Sequence, residues 1–257
     1  MIQIIALSAI TVLLFMIVMF IIAQIKKNNS IVDTGWGIGF ILITLVLILN
    51  SDRTNIKELI LFAMILVWGL RLAFHIYLRS RSKGEDFRYA QWRKDWGKNA
   101  AVIAFFKVFM LQGLIMLTIA FPIMVVFNSL NDNLTAINFI GLSIFLFGIL
   151  FESFSDYQLL RFKRNPENKG KIITSGLWKF TRHPNYFGEV VLWWGIGIFT
   201  IGSDLYLSAF ISPLILNLLL LYVSGIPMLE KKYAGNKDWE DYKKITPAFF
   251  PLIGRKG

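Results

Sequence analysis

Apolar and polar positions alternate in long blocks along this chain, and the pattern predicts membrane-spanning helices. A bilayer core of about 30 Å is crossed by about 20 apolar residues in a helix. Seven blocks reach or approach that length, and the second and the sixth are the short ones. The predicted spans are Ile2–Ile25, Thr34–Leu49, Glu58–Leu78, Ala101–Phe127, Ala136–Leu160, Phe187–Gly202 and Leu205–Ser224. We therefore predict an all-α integral membrane protein with about seven transmembrane helices.

The composition supports this prediction and excludes several kinds of chemistry. Hydrophobic residues make up 56% of the 257 residues and charged residues only 17%, whereas soluble domains carry about 25% charged residues. The absence of cysteine excludes disulfides, thiolate metal sites and cysteine nucleophiles. Since His75 and His183 are the only histidines, a histidine cage is disfavoured, and we predict no metal site.

The positions of the basic residues predict the orientation in the membrane. Lys26–Lys27, the loops at 79–98 and 161–182, and the tail after Ser224 together hold 23 of the 27 Lys and Arg residues. The opposite loops hold only Arg53 and Lys57. By the positive-inside rule the N-terminus is outside and the C-terminus cytoplasmic. Contacts with anionic lipid explain the net charge of +11, so no nucleic-acid partner is predicted.

The first block and the overall organisation predict a retained, multi-pass protein. No basic residue precedes the first apolar block, and no small-residue cleavage pattern follows it, so we interpret it as an anchor rather than a signal peptide. No repeat, low-complexity tract or flexible linker divides the chain, which predicts a single membrane domain over residues 1–257. The short tail and the lack of a targeting sequence favour a bacterial inner membrane. Membrane lipids are the expected neighbours, and no obligate protein partner is inferred.

Ionisable residues inside apolar blocks are candidate functional residues because a charge in lipid is costly. Trp68, Arg71 and His75 follow helical spacing and share one face. Arg71 either serves a polar cavity or extends toward lipid phosphates, and His75 is either functional or an interfacial residue. Glu152 and Asp156 are one turn apart and either take part in chemistry or belong to a structural ion-pair network.

Two further candidates lie near the ends of early spans. Asp33 precedes the second block, where it would cap the helix N-terminus, or alternatively relay a proton if it were buried. The loop from Gly84 to Tyr89, followed by Trp92, interleaves charged and aromatic residues. Such a loop suits either a polyanionic cofactor or an aromatic belt at the membrane surface.

The segment from Thr174 to Glu189 carries the densest polar signal, directly before the apolar run at 190–199. Pro184 can occupy a first helical turn, which would gather Arg182, His183 and Asn185 at a helix N-terminus. Such an end offers free N–H groups and a positive dipole to an anion. We therefore predict that this segment binds a ligand.

The chain resembles the steroid 5-alpha-reductase-like superfamily of membrane reductases, especially its uncharacterised bacterial branch. The resemblance covers most of the chain from the second span onward, and is densest in the segments 155–163, 176–178, 185–189 and 233–251. It implies an NADPH pocket in about residues 135–257 and substrate-side helices in about residues 1–130. The cofactor-binding residues that it implies are Arg71, Asp156, Lys163, Asn185, Glu189 and Tyr233, with Trp178 and Arg182 as additions.

The N-terminal half departs from the pattern of that superfamily. The steroid reductases use an early glutamate and a tyrosine on the following span near the substrate carbonyl. Here Asp33 is the early carboxylate, and Trp68 stands where the tyrosine would be. Because tryptophan is no practical general acid, Asp33, His75 or Tyr89 is expected to polarise the acceptor. The expected reaction is NAD(P)H-dependent reduction of a lipophilic conjugated enone or alkene.

Two other functional classes stay open. The Arg182-His183-Pro184 segment is also similar to that of isoprenylcysteine carboxyl methyltransferases and related membrane phospholipid methyltransferases. Those enzymes bind S-adenosylmethionine with this segment and a later acidic pair, of which this chain has only Glu230. The third class is a non-enzymatic lipid-binding membrane protein.

Overall fold

The computed structural model describes residues 1–81, 84–231 and 233–252, and this part of the chain is helical, without a strand. The predicted all-α fold class is confirmed. The α-helices are α1 (Ile2–Ile25), α2 (Ile31–Leu49), α3 (Ile56–Ser80), α4 (Phe87–Trp96), α5 (Ala100–Ala104), α6 (Leu111–Ile119), α7 (Phe121–Asn128), α8 (Ala136–Arg164), α9 (Pro184–Phe199), α10 (Ile211–Leu218), α11 (Ile226–Lys231) and α12 (Lys237–Ile245).

Helix length and apolar composition make this a multi-pass integral membrane protein. Within the described ranges, six helical stretches are long and apolar enough to cross a bilayer. The predicted sixth block is α9, whose 16 residues fall short of the usual span. The six stretches are Ile2–Ile25, Ile31–Leu49, Ile56–Ser80, Phe87–Ile119, Ala136–Arg164 and Tyr206–Lys231.

The chain divides into two compact units. The first unit contains Met1–Thr135 and Thr200–Ile211, and the second contains Ala136–Phe199 and Ser212–Gly257. In the first unit, α2 packs on both α1 and α3. The α2–α3 approach is close because Gly37 and Gly69 face each other, so that a Cβ on either would overlap the other's backbone.

The stretch Phe87–Ile119 in the first unit is not one straight helix. Helix α4 stops at Trp96, and Gly97 adopts φ 53° and ψ −127°, a combination that only glycine adopts readily. A short 3₁₀ turn and α5 follow, and α5 packs on α4. A π-helix then runs over Phe105–Met110 before α6. The predicted span Ala101–Phe127 is interrupted again at Ala120, just before the α7 proline.

Two long helices of the second unit, α8 and α9, pack through paired glycines. A Cβ on Gly148 would lie 2.5 Å from the backbone nitrogen of Leu192, and one on Gly195 would lie 2.5 Å from that of Phe145. Backbone therefore touches backbone along this seam, which brings the N-terminal end of α9 against the last turns of α8. Next to Gly188 lies Glu152, whose backbone nitrogen is 2.6 Å from the position of a Gly188 Cβ.

The C-terminal tail of the second unit is fastened to the segment that leads into α9. The backbone N–H of Arg182 donates to the carbonyl of Pro247 at 2.9 Å, and that of Leu252 donates to Phe180 at 3.1 Å. The Thr181 hydroxyl donates to the carbonyl of Ala248 at 3.1 Å. These bonds hold the tail beside the beginning of α9.

Candidate functional site

The first unit contains a buried phenol between two polar partners. The hydroxyl of Tyr89 donates a hydrogen bond to Asp33 Oδ1 at 2.6 Å, and it accepts one from Gln112 Nε2 at 3.1 Å. Tyr89 is only 4% exposed, whereas the Asp33 side chain is 24% exposed. The phenol is thus held between an amide donor and a carboxyl group on a partly exposed side chain.

The residues around this phenol are held by charge. Arg88 donates from Nε to Asp86 Oδ1 at 2.9 Å, and the Nη2 atom of the same guanidinium lies 3.6 Å from Asp33 Oδ2. Although burial would raise the pKa of Asp86, hydrogen bonds from the side chain and backbone of Arg88 hold it below its ordinary value. A second pair anchors the same loop, since Glu85 accepts from Arg93 at 2.8 Å and from the Asn29 N–H at 2.6 Å.

The structure corrects the interpretation of Asp33 as a helix cap. Helix α2 begins at Ile31, its N-cap is Ser30, and no side chain caps it. Asp33 is therefore the third residue of the helix, and its carboxyl group points to Tyr89 and Arg88. The alternative prediction, a carboxyl group that relays a proton, stays a prediction.

Three other predicted residues lie on α3 of the first unit. Trp68 is fully buried and packs edge-to-face on Phe40, with ring centroids 5.2 Å apart. Arg71 and His75 are half-buried. Arg71 belongs to the first unit, and residues 163, 185 and 189 belong to the second. The cofactor pocket that the resemblance implies for these four residues stays a prediction.

The second unit contains a carboxylate shared by two neighbouring residues at the start of α9. Glu230 Oε1 accepts from Arg182 Nε at 2.9 Å and lies 3.0 Å from His183 Nε2. Arg182 also donates to the carbonyl of Thr246 at 2.6 Å, so its guanidinium holds the tail. The contact with a nucleotide that was predicted for Arg182 stays a prediction.

A second polar pair lies at the same end of α9. Asn185 Nδ2 donates to Asp156 Oδ1 at 3.3 Å, so two predicted cofactor residues are brought together. Asp156 is buried, Glu189 is half-buried one turn further along α9, and Lys163 is exposed in the last turn of α8. Pro184 is the first residue of α9, as predicted.

Aromatic residues support this end of the second unit. Trp178 Nε1 donates to the carbonyl of Ser155 at 3.1 Å, and the carbonyl of Trp178 accepts from the buried hydroxyl of Tyr242. Burial raises the pKa of the Tyr242 phenol. Tyr233 stacks on Trp239, with ring centroids 4.9 Å apart. Trp178 and Tyr233 therefore contact the C-terminal tail, which is fastened beside the start of α9. Their predicted contacts with a cofactor stay predictions.

Two residues of these clusters were not among the site residues predicted from the sequence. Gln112 is a lone amide within an apolar block, which was a usable signal, but its partner lies 23 residues away. Glu230 was noted only as an incomplete acidic pair, whereas it binds both Arg182 and His183. Over the ranges that the structure describes, no three His, Asp or Glu side chains are grouped to hold a metal ion.

An all-helical, multi-pass membrane fold with polar clusters at helix ends defines the class of this protein. The model of the family described as "Protein of unknown function (DUF1295)" matches residues 19–246. Because that match covers most of the chain, the protein belongs to this family.

Two individual proteins are also similar to this chain. An uncharacterized protein of Schizosaccharomyces pombe is 24% identical over 198 residues, which are 67% of this chain and 58% of that protein. A protein of Ustilaginoidea virens named "Probable O-methyltransferase ustE" is 46% identical over 46 residues, which are 18% of this chain and 16% of that protein. The chain thus matches less than two thirds of the length of each relative. No solved structure matches.

Proposed function

We propose that this protein is an NAD(P)H-dependent reductase of a lipophilic conjugated enone or alkene, and that Tyr89 donates the proton. The hydrogen bond of 2.6 Å between Tyr89 and Asp33 carries the proposal. It supplies the carboxyl–phenol pair that the resemblance to steroid reductases implies, although the phenol comes from α4 rather than from the position of Trp68. The proposal also places the protein in a bacterial cytoplasmic membrane, with the cofactor entering from the cytoplasm.

The residues of the second unit fit a dinucleotide in their chemistry. The Asp156 carboxylate and the Asn185 amide, 3.3 Å apart, offer an acceptor and a donor to ribose hydroxyls or an amide. Lys163 is an exposed residue whose side chain is of the kind that binds phosphates. When bound, NAD(P)H supplies the hydride for the electron-poor β-carbon of the substrate. The residues of the second unit assigned to it on the resemblance are Asp156, Lys163, Trp178, Arg182, Asn185, Glu189 and Tyr233, and Arg71 of the first unit is assigned on the same ground.

The first unit supplies the acid of the proposed reaction. As hydride reaches the β-carbon, negative charge develops on the carbonyl oxygen of the substrate. A preorganised donor at that oxygen stabilises the charge, which is commonly the largest electrostatic contribution to such catalysis. Tyr89 is the donor in this proposal because its phenol is buried and fixed on both sides. His75, the third predicted catalytic residue, has no assigned step.

A binding experiment and an activity experiment test the proposal separately. The protein purified in detergent should shift the fluorescence of NADPH, and Asn185→Ala or Lys163→Ala should weaken binding. Asn133→Ala and Lys169→Ala, which change exposed residues, are the matched controls. Tyr89→Phe should keep NADPH binding but lose about 10²–10⁴-fold in turnover, the range for a general acid. Absence of NADPH binding, or full activity in Tyr89→Phe, would contradict the proposal.

A methyltransferase is the second candidate, and two observations favour it. One is the match of 46 residues to a protein named as an O-methyltransferase. The other is the contact of Glu230 with Arg182 and His183, which puts the single later acid against the segment that resembles the methyltransferases. Thermal stabilisation by S-adenosylmethionine without any by NADPH would favour this candidate. Stabilisation by neither would favour a lipid-binding protein without enzymatic activity.

A further inference from the structure

The number of hydrogen bonds available to the Tyr89 oxygen restricts what the phenol can do. A phenol donates one hydrogen bond and accepts up to two. Gln112 Nε2, a pure donor, occupies one acceptor position of that oxygen at 3.1 Å. Asp33, at 2.6 Å, takes one more position, so a single direction remains open.

The protonation state of Asp33 decides what that open direction offers. An ionised Asp33 only accepts, so it takes the phenolic proton and leaves a lone pair of Tyr89 for the substrate. A protonated Asp33 donates to Tyr89, and the phenolic proton is then left for the substrate. These two states offer the substrate either a lone pair or a proton only while Gln112 occupies the other acceptor position of the Tyr89 oxygen.

The fold places Gln112 beside Tyr89 by two local distortions of the helix. The two residues are 23 positions apart, and a straight α-helix would separate them by about 35 Å at 1.5 Å per residue. The chain therefore reverses at Gly97, whose φ is 53°. The π-helix Phe105–Met110 ends two residues before Gln112. Its wider turns change the direction of the side chains that follow, and such segments are frequent at functional sites.

We propose that Gln112 is a positioning residue that makes Asp33 and Tyr89 a two-step proton relay, and this inference rests on the proposed function. The Tyr89 O–H bond breaks as its proton goes to the substrate anion. The Asp33 O–H bond breaks as its proton goes to the Tyr89 oxygen, which restores the phenol and leaves a carboxylate. Water then returns a proton to Asp33, whose side chain is 24% exposed.

The charges around Asp33 suit this cycle. Arg88 lies 3.6 Å from Asp33 Oδ2 and stabilises the carboxylate that the relay leaves behind. Asp86 carries the same charge as that carboxylate, and Arg79, in the last turn of α3, carries the opposite charge. Because Arg88 is also bound to Asp86 at 2.9 Å, its charge is shared between the two acids, and Asp33 can still take up a proton.

The variant Gln112→Glu tests the relay because it keeps the shape and exchanges a donor for an acceptor. An ionised carboxylate at this position would compete for the Tyr89 proton, so we expect turnover to fall at least about tenfold at neutral pH. Turnover should recover as the pH falls and the new carboxyl group becomes a donor. NADPH affinity should be unchanged. The control is Gln91→Glu, an exposed position on α4, where no pH-dependent loss is expected.

A spectroscopic measurement keeps the relay distinct from the reductase assignment. Infrared spectra of the wild type should show the C=O stretch of a protonated Asp33, absent in Asp33→Asn and shifted in Gln112→Leu. If the wild type shows that band but reduces nothing with NADPH, the proposed function fails while the hydrogen-bond arrangement stands. If Gln112→Glu has a wild-type pH profile, or if no Asp33 band responds to Gln112→Leu, the relay is overturned.

Discussion

Replacing Gly148 by alanine tests the close packing of α8 and α9, on which the polar end of the second unit depends. The added Cβ would lie 2.5 Å from Leu192 N, 2.8 Å from Gly188 O and 2.9 Å from Leu192 Cα. All three atoms are backbone, so no side chain can turn away. Since carbon contacts are optimal at about 3.5–4.0 Å, the two helices must separate locally by about 1 Å.

The size of the effect follows from two opposing contributions. Overpacking a well-packed site costs about 1–3 kcal/mol, and the rigid neighbours here favour the upper end. Alanine gains about 1 kcal/mol over glycine in a helix interior. The expected net loss in the free energy of unfolding is about 2 kcal/mol, and a melting temperature lower by about 4–8 °C follows for a chain of this size.

Thermal unfolding in detergent, followed by tryptophan fluorescence, measures this loss. Gly113→Ala is the control, because the atoms nearest to a Cβ at this helical glycine are side-chain atoms of Met16, at 3.1 Å, and of Val12, at 3.2 Å. These side chains can move, so its melting temperature should change much less. A Gly148→Ala variant as stable as Gly113→Ala would refute the packing described for α8 and α9.

Three further variants test single local features of the structure. Gly97→Ala should lose about 1–3 kcal/mol of stability from backbone strain alone, because nothing lies within 4 Å of the new Cβ, whereas Gly84→Ala should melt as the wild type does. Arg182→Lys removes the fork that binds Glu230 and the tail, so trypsin should cut the tail faster, and an unchanged cleavage rate would contradict that role. Tyr242→Phe should be less stable than the wild type by about 1 kcal/mol at pH 8. Burial raises the pKa of this phenol, so the stability that the Tyr242 hydroxyl contributes is present below the unfolded-state pKa of about 10 and is lost above it. The difference in melting temperature between Tyr242→Phe and the wild type should therefore shrink toward pH 11. A constant difference would refute the stabilising role of this hydroxyl.

The length of the apolar blocks in the sequence was sufficient to predict the helical membrane fold. The blocks at 2–25, 58–78 and 136–160 correspond to α1, α3 and α8 within a few residues, because each is long, uniformly apolar and bounded by polar residues. The block Ala101–Phe127 was not sufficient, since the hydrophobic pattern carries no sign of the π-helix, and the break at Ala120 goes with Pro122, a local signal that an apolar count does not include.

The candidate site was predictable only in part. The sequence identified Pro184 as the start of a helix and Asn185 as a polar residue at that start, because proline and polar residues have local positional preferences. The pairing of Asp33 with Tyr89 spans 56 residues, and that of Arg182 with Glu230 spans 48. Such pairs follow from how the helices pack and leave no local signal. Asp33 was misjudged as a cap because α2 begins two residues before it.

Transfer of deuterium to a membrane lipid from NADPH that carries deuterium at both C4 positions tests the central claim most directly. Membranes that contain the protein would be incubated with the labelled cofactor, and extracted lipids compared by mass spectrometry with those from membranes that contain Tyr89→Phe. Tyr222→Phe, at a tyrosine that is 75% exposed, is the matched control. The account predicts one deuterium and one solvent hydrogen added to a lipid by the wild type and by the control, and about 10²–10⁴-fold less labelled lipid from Tyr89→Phe. An unlabelled extract, or a lipid that gains a methyl group from S-adenosylmethionine instead, would contradict it.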